Sequence, residues 1–224
     1  MQLYMNPIST TCRMITMFAA SEGISLDTVL IDLMNGEQRQ PEYLKINPNG
    51  LVPLLEDDGF YLSESGAILR YLAAKANSSA YPTNIQERAR VDEAMEWFYS
   101  NFYKDIGYGL VYPQILPHHK RPTAESQNVT VTWARAKSEH WLGILDKNMI
   151  GTDNRYIYGD RITLADYVGA EMVGLGELIQ CEYRDFPNVQ RWMATMKDLP
   201  KWHETHAAYD GFVNSLRGGS FVSV

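Results

Sequence analysis

Apolar and polar positions alternate along the first 76 residues in the manner of a small α/β unit. Gln2–Met5 is a short strand candidate, and apolar residues recur at helical spacing between positions 11 and 21, with Gly23 as the helix stop. Thr28–Ile31 is a β-branched apolar run, which is typical of a strand buried on both faces. A strand, a helix and a second strand in this order predict parallel strands joined by a right-handed crossover.

The stretch Asn47–Leu72 supplies the remaining elements of this unit. Its Val52-Pro53 step opens an apolar run, Asp58-Gly59 has the composition of a hairpin turn, and Ser63-Glu64-Ser65 marks a helix start. A weaker helical segment precedes the stretch near residues 41–44. The predicted order is therefore β-α-β, α, β-β-α, which makes a complete small α/β domain.

Beyond residue 76 the pattern becomes all-helical. Residues 77–84 are polar and contain Pro82, so they are predicted to link a domain at 1–76 to a second domain at 85–224. Apolar stripes predict two long helices, the first of which begins near Ile85. The stripe positions are Val91, Met95, Phe98 and Phe102 on the first helix and Val129, Trp133, Ala136, His140 and Ile144 on the second.

The last third of the chain carries three more helix signals. Thr163-Leu164-Ala165-Asp166 has the form of a capping box and predicts the start of a buried helix, in which Glu171 stands almost alone as a charge. Pro187 and Pro200 occupy positions suited to the first turn of two further helices.

Composition then narrows the class of protein. The 224 residues are 45% hydrophobic and 12% aromatic, which indicates a globular chain of one large or two small domains. The net charge of −7 argues against a nucleic-acid partner and against an anionic membrane surface. No apolar run approaches the ~20 residues of a membrane span, and the N-terminus lacks the features of an export signal. We expect a cytoplasmic protein.

Metal-binding and disulfide patterns are missing from the sequence. Cys12 and Cys181 lie far apart and form no CxxC, so neither a disulfide framework nor a zinc site is expected. His203 and His206 are three residues apart without a third ligand, and we interpret them as a surface pair.

Three short motifs occur at the ends of the predicted strands and helices. They are Ser9-Thr10-Thr11-Cys12-Arg13, Val52-Pro53 together with Glu64-Ser65, and Ile162-Thr163-Leu164-Ala165-Asp166. In combination they resemble the cytosolic glutathione transferases over nearly the whole chain. The first motif is similar to the serine-type theta and delta classes and their bacterial-like relatives. The resemblance implies a thioredoxin-like N-terminal domain followed by an all-α C-terminal domain.

The resemblance also implies a nucleophilic thiol chemistry. A thiol with a pKa of ~8.5 is mostly protonated at neutral pH, so an enzyme that uses it must stabilise the thiolate. Ser9 would donate to the sulfur of glutathione, with Thr10 as the alternative donor. The position of Ser9 before a helix would place the sulfur near the positive end of the helix dipole.

The other parts of the tripeptide are assigned in the same way. Pro53 would be the cis-proline of the family and would leave the Val52 backbone free to pair with the cysteinyl part. Ser65 would bind the γ-glutamyl carboxylate and Glu64 the ammonium group. The full set of implied glutathione-binding residues is Gln38, Asn49, Leu51, Val52, Pro53, Glu64 and Ser65.

The glycyl end departs from the family pattern. Where delta-class relatives place a histidine after Pro-Gln, this chain has Asn49-Gly50. Where theta relatives have a histidine after Gly-Gln, it has Gln38. Gln38, Lys45 and Asn49 stay open as partners of the glycyl carboxylate.

The helical domain is expected to supply the second substrate site. Its lining is predicted from the aromatic residues Phe102, Tyr103, Tyr108 and Tyr112. The implied reaction is attack of glutathione thiolate on a small hydrophobic electrophile or on a peroxide, as in detoxification. The run 118–121, His-His-Lys-Arg, is interpreted as a solvated loop whose positive charge, if functional, would attract an acidic substrate.

Two alternatives to this function remain at the level of sequence. One is a non-catalytic glutathione-binding or interaction protein with the same fold. The other is glutathione-disulfide exchange through Cys12, although an isolated cysteine one helical turn after Ser9 is expected to point into the core. The resemblance further implies a homodimer that uses glutathione as co-substrate, with no metal and no nucleotide.

Overall fold

The computed structural model describes residues 1–224 and begins with a four-stranded mixed sheet. The strands are β1 (Gln2–Met5), β2 (Asp27–Leu30), β3 (Leu54–Asp57) and β4 (Phe60–Ser63). Their order in the sheet is β2-β1-β3-β4, with β1 and β2 parallel and the other two pairs antiparallel. The predicted β-α-β unit and the predicted hairpin are both present.

Local chemistry explains the turns of this sheet. Asp58 and Gly59 both have positive φ, at 51° and 84°, as a type I′ hairpin turn requires. The first helix ends at Gly23, which adopts the left-handed conformation that glycine takes without strain. The helices of this part are α1 (Thr10–Glu22), α2 (Pro41–Leu44) and α3 (Ser65–Lys75), with a 3₁₀ turn at Glu37–Arg39.

The rest of the chain is helical. The α-helices are α4 (Ile85–Trp97), α5 (Tyr112–Ile115), α6 (Ala124–Ile144), α7 (Leu164–Gly174), α8 (Pro187–Lys197) and α9 (Trp202–Ser215). Wider π-helical turns continue two of them, at Phe98–Phe102 and Lys104–Val111 after α4 and at Leu145–Ile150 after α6. Short 3₁₀ segments lie at Pro117–His119 and Leu175–Ile179. None of these helices combines the length and the apolarity needed to cross a bilayer.

Helix α7 lies at the centre of the molecule. Every one of its residues is buried, and it contacts α1 and α3 from the sheet side as well as α4 and α8. As the capping box predicts, the Asp166 carboxylate accepts the Thr163 backbone N–H at 2.8 Å. It also accepts from the backbone of Ile157 and from the indole of Trp192. One continuous core therefore joins the sheet to the helices.

The burial of β2 differs from the prediction. The strand forms at the predicted place, but it is the edge of the sheet, and Leu30 is 65% exposed. The reason is the strand order, because β2 pairs with β1 along one edge only and has no strand along its other edge, since β3 pairs with the opposite edge of β1. A buried residue follows only after the strand ends, at Ile31.

The predicted apolar stripe on α6 is wrong. Val129 and Trp133 are 62% and 55% exposed, and Ala136 and His140 are exposed as well. The buried face instead carries Val131, Ala134, Ser138 and Leu142. Small residues face the core here because the helices approach closely, and a Cβ on Gly109 would lie 2.6 Å from that of Ala134. Large apolar side chains therefore did not identify the buried face of this helix.

Candidate functional site

Ser9 stands at the start of α1 without capping it. Its backbone is extended, as in an N-cap residue, but its hydroxyl accepts no hydrogen bond from a backbone N–H of the first turn. The Ser9 Oγ instead lies 3.2 Å from the hydroxyl of Thr11. Thr11 in turn donates to the Val52 carbonyl at 3.4 Å. The Ser9 hydroxyl is therefore half-buried at the point where α1 meets the Val52-Pro53 loop.

Thr10 faces a different neighbour. It is 4% exposed, and its hydroxyl lies 3.3 Å from the phenol oxygen of Tyr112 in the helical part. Adjacent hydroxyls thus point to different sides of the site, with Ser9 toward the Val52 loop and Thr10 toward the aromatic residues.

The loop before β3 is held rigidly. The Val52-Pro53 peptide bond is cis. The Leu51 carbonyl accepts from the Tyr43 hydroxyl and from the Asn47 side-chain amide, both at 2.7 Å. The backbone N–H of Val52 makes no hydrogen bond within the chain. The loop therefore carries a backbone donor without a partner, and its Val52 carbonyl is linked to the Ser9 hydroxyl through Thr11.

Glu64 has an unusual backbone at the start of α3. Its φ is +67°, a conformation that costs a residue with a side chain about 1–3 kcal/mol and that clusters at ligand-binding sites. The Glu64 side chain is exposed and forms no ion pair. Ser65 begins the helix, and its hydroxyl lies 2.9 Å from that of Tyr99. Ser63, the first residue of the predicted helix start, is the last residue of β4, and Glu64 holds the N-cap position.

Helix starts fall into two groups in this protein. Asn84 caps α4 through two backbone N–H groups, and the starts of α6 and α7 carry capping boxes. The starts of α1, α2, α3, α5, α8 and α9 have no side-chain cap from their own N-cap residue. Unpaired N–H groups at a helix start attract anions, and the starts of α1 and α3 are the two that adjoin Ser9 and Glu64, so these two ends are suited to hold charged groups of a ligand.

The three glycyl-end alternatives cluster around Gly50. A Cβ on Gly50 would lie 3.2 Å from the Gln38 carbonyl and 3.3 Å from the side chain of Leu44, which precedes Lys45. Asn49 and Lys45 are exposed. The Gln38 Oε1 is buried without a hydrogen-bond partner. The fold therefore brings the three residues to one corner of the loop without separating their roles.

Three of the four predicted pocket aromatics do come together. The hydroxyls of Tyr103 and Tyr112 are 2.8 Å apart, and the rings of Tyr108 and Tyr112 are 5.3 Å apart. Burial raises the pKa of Tyr103 and Tyr112, so both remain neutral phenols at neutral pH. Phe102 is a correction, because it is fully buried against Phe98 and Trp97 and belongs to the core.

Sequence reasoning missed His119 as a neighbour of these tyrosines. Its ring lies 5.5 Å from that of Tyr108 and 5.3 Å from that of Tyr112. The run 118–121 is therefore not wholly solvated, since His119 is partly buried against the pocket. The only available signal was the break of helical periodicity at Pro117, which does not indicate the residues against which the loop packs.

A buried polar network lies behind Ser9. The Arg13 guanidinium, 1% exposed, donates to Glu171 on α7 at 2.7 Å and to the Ile8 carbonyl at 2.7 Å. It also stacks over the Tyr209 ring. The second Glu171 oxygen lies 2.6 Å from the His206 Nε2. Arg13 thereby fixes the loop that carries Ser9.

This network corrects the interpretation of the histidine pair. His206 is 2% exposed and paired with Glu171, whereas only His203 lies at the surface. The signal that could have found it was the single charge of Glu171 in an otherwise apolar helix, because a buried charge requires a partner.

Cys12 is unsuited to thiol exchange. The side chain is fully buried, and burial raises the pKa of its thiol to about 11. Cys181 is also free and buried.

The comparisons with known proteins agree with this architecture. The family model of the glutathione S-transferase N-terminal domain matches residues 1–74, and that of the C-terminal domain matches residues 109–200. A delta-class glutathione transferase of Nilaparvata lugens has 28% sequence identity and a TM-score of 0.79, over 96% of this chain and 98% of that chain. Human glutathione transferase theta-2, whose structure contains glutathione and an unknown ligand, has 26% identity and a TM-score of 0.84, over 99% and 92%.

A further similar structure is the apo form of human glutathione transferase T1-1, with 26% identity and a TM-score of 0.78 over 95% of this chain and 90% of that one. The chain belongs to the glutathione transferase family. It is a transferase with a thioredoxin-like N-terminal domain and a helical C-terminal domain.

Proposed function

We propose that this protein binds glutathione along the starts of α1 and α3 and activates its thiol through Ser9. The observations that carry the proposal are the Ser9 hydroxyl, which does not cap α1 and is linked through Thr11 to the Val52 carbonyl, and the Val52 backbone N–H, which has no partner within the chain. A cysteinyl backbone paired with Val52 would bring its sulfur toward Ser9. The Ser9 hydroxyl and the dipole of α1 would then favour the thiolate over the thiol.

The remaining contacts follow from the same two helix starts. The γ-glutamyl carboxylate would bind the first backbone N–H groups of α3 and the Ser65 hydroxyl, and its ammonium group would meet the unpaired Glu64 carboxylate. Gln38, Lys45 or Asn49 would bind the glycyl carboxylate. Leu51 and Pro53 would shape the loop that carries Val52.

The reaction we propose is nucleophilic substitution or addition at carbon. The bound thiol loses its proton to solvent, the thiolate forms a bond to the electrophilic carbon, and in substitution the leaving group departs with the bonding electron pair. Tyr103, Tyr108 and Tyr112 would line the site of a small hydrophobic electrophile. With a peroxide, the thiolate would attack oxygen and release an alcohol, and a second glutathione would complete the disulfide and release water.

Conjugation of 1-chloro-2,4-dinitrobenzene tests this proposal. Removal of one transition-state donor costs about 10²-fold in rate, so we expect Ser9→Ala to lower kcat/KM by that order and to raise the pKa of bound glutathione, read from thiolate absorbance. Thr10→Val is the matched variant, and a larger loss there would make Thr10 the donor. Unchanged activity in both variants would contradict hydroxyl activation.

A non-catalytic glutathione-binding protein is the second candidate, because the glycyl corner lacks the histidine of the family. Calorimetric binding of glutathione without turnover of any aromatic halide, epoxide or hydroperoxide would favour it.

We also propose the two-domain division at residues 77–84 and a homodimer in the cytoplasm. The exposed Val129 and Trp133 on α6 support a subunit contact, since large exposed apolar side chains tend to lie at interfaces. Light scattering of the protein and of Trp133→Glu would test the dimer. A role in detoxification would follow from the hydrophobic electrophiles.

A further inference from the structure

The run His118–Arg121, here called the basic segment, lies through His119 against the wall of aromatic rings formed by Tyr103, Tyr108 and Tyr112. His119 lies in ring contact distance of both Tyr108 and Tyr112, and Tyr112 also reaches Thr10. A continuous row of side-chain contacts therefore runs from Thr10 at the start of α1 through Tyr112 to His119 in the basic segment. A small molecule beside the sulfur would have one end near Ser9 and the other near His119.

Arg121 is tied to the same wall. Its backbone N–H donates to the Gln127 side chain at 2.9 Å, and its Nη2 lies 3.5 Å from the Tyr108 carbonyl. The guanidinium forms no ion pair, although the other arginines near the cleft, Arg13 and Arg70, are paired with carboxylates. Arg121 is thus an exposed cation without a carboxylate partner, whose guanidinium lies at the backbone of Tyr108.

The local charge contrasts with that of the whole protein. Residues 106–124 contain no aspartate or glutamate, although the chain has 27 of them and a net charge of −7. A cationic wall in an acidic protein concentrates anions at that place. Burial, together with the neighbouring His118 and Arg121, lowers the pKa of His119. At neutral pH His119 is therefore a neutral N–H donor, and Arg121 carries the charge.

We propose that the second substrate is an electrophile that bears a carboxylate, and that Arg121 and His119 bind this carboxylate. The inference deepens the proposed conjugation reaction and rests on it. Arginine pairs with a carboxylate through two parallel hydrogen bonds, and the tyrosine rings would hold the apolar body between Arg121 and the sulfur. The basic segment would then select among electrophiles without taking part in bond formation.

A matched pair of substrates tests the selectivity. 4-Chloro-3-nitrobenzoate carries a carboxylate where 1-chloro-2,4-dinitrobenzene carries a neutral nitro group. A charged hydrogen bond is worth about 1.5–3 kcal/mol, so we expect Arg121→Gln to lower kcat/KM for the benzoate about tenfold or more. The neutral substrate should change less than about twofold, and salt should reduce the wild-type preference. His119→Phe, which keeps a ring and removes the N–H, should have a smaller effect of the same sign.

Arg184→Gln is the control for loss of one positive charge, because Arg184 is exposed and paired only with Glu182. The inference is wrong if Arg121→Gln lowers kcat/KM for the benzoate and for the neutral substrate by the same factor. It is also wrong if the variant raises KM for glutathione and leaves the ratio of the two kcat/KM values unchanged. If the wild type turns over neither substrate, the proposed function fails separately. Binding of the two glutathione conjugates then decides the inference: preference for the carboxylated conjugate, lost in Arg121→Gln, supports it, and equal binding overturns it.

Discussion

The starts of α1 and α7 use the same kind of residue in opposite ways. At α7, the Asp166 carboxylate accepts from the backbone and hydroxyl of Thr163, from the Ile157 backbone and from the Trp192 indole, so both of its oxygens have partners within the protein. At α1, Ser9 leaves the helix uncapped. The order of that loop comes from Arg13 instead, which holds the Ile8 carbonyl from inside the core. A hydroxyl that caps its own helix, as that of Thr163 does, is not available to a ligand. The Ser9 hydroxyl does not cap α1, and Arg13 holds its loop in place from the core.

The largest effect should come from removing that support. Glu171→Ala leaves Arg13 buried without its anionic partner, which typically costs 3–5 kcal/mol, so we expect about 4 kcal/mol of lost unfolding free energy in urea titrations. Glu182→Ala removes an exposed ion pair and should cost less than about 1 kcal/mol. Similar values for the two variants would show that Arg13 does not depend on Glu171.

Breaking the α7 cap should have the next largest effect. Asp166→Ala leaves the donors of Ile157, Thr163 and Trp192 without an acceptor in the core, and each such loss costs about 1–3 kcal/mol. We expect about 3 kcal/mol from thermal or urea unfolding. Thr123→Ala at the exposed start of α6 is the matched control, with about 1 kcal/mol expected. Equal costs would mean that burial adds nothing to this capping box.

Ser9→Ala should barely change stability. Because the Ser9 hydroxyl does not cap α1, the usual penalty of about 1 kcal/mol for losing a cap should be absent, and we expect less than about 0.5 kcal/mol. The same protein samples serve for the conjugation assay, in which the loss is expected to be large. A stability loss as large as that of Thr123→Ala would make Ser9 a structural cap.

Cys12 should show no reaction at all in the native protein. Its thiol is fully buried with a pKa of about 11, so iodoacetamide should leave it unmodified between pH 7 and pH 9, as read by mass spectrometry, and should label it only after denaturation. The pH dependence of the unfolding free energy gives a second readout of the Cys12 pKa. Because burial raises the pKa of the folded thiol from its ordinary value of 9.0 to about 11, the thiol's contribution to stability is present below pH 9 and is lost as the pH rises toward 11. A glutathione adduct on native Cys12 would instead restore the disulfide-exchange hypothesis.

Much of the fold was predictable because it depends on local rules. The β1-α1-β2 unit, the Asp58-Gly59 hairpin and the Thr163-Asp166 helix start follow from turn residues, capping residues and hydrophobic period, which act within a few positions. The site motifs were recognisable for a related reason. Ser9, Val52 and Ser65 each occupy an element end, and element ends can be located from sequence.

The predictions that were wrong concern which face of an element is buried and which distant residues contact it. Which side of α6 is buried depends on how closely Gly109 and Ala134 approach, and the exposure of β2 depends on the order of strands in the sheet. Neither quantity is a property of the segment itself. Phe102 and Tyr103 are neighbours in sequence, yet Phe102 packs in the core against Phe98 and Tyr103 contacts Tyr108 and Tyr112, because successive side chains of a helix point in different directions.

The sequence by itself determined the family, the order of elements and the presence of a hydroxyl at the start of α1. Only the tertiary structure decided that this hydroxyl bonds to the Thr11 side chain and not to the helix backbone. It also brought Glu171, which lies more than 150 residues away in the chain and pairs with His206, against Arg13, and it placed His119 beside Tyr112. Local propensities act over a few residues, whereas the pairing of a buried charge and the lining of a pocket are set by packing between distant segments.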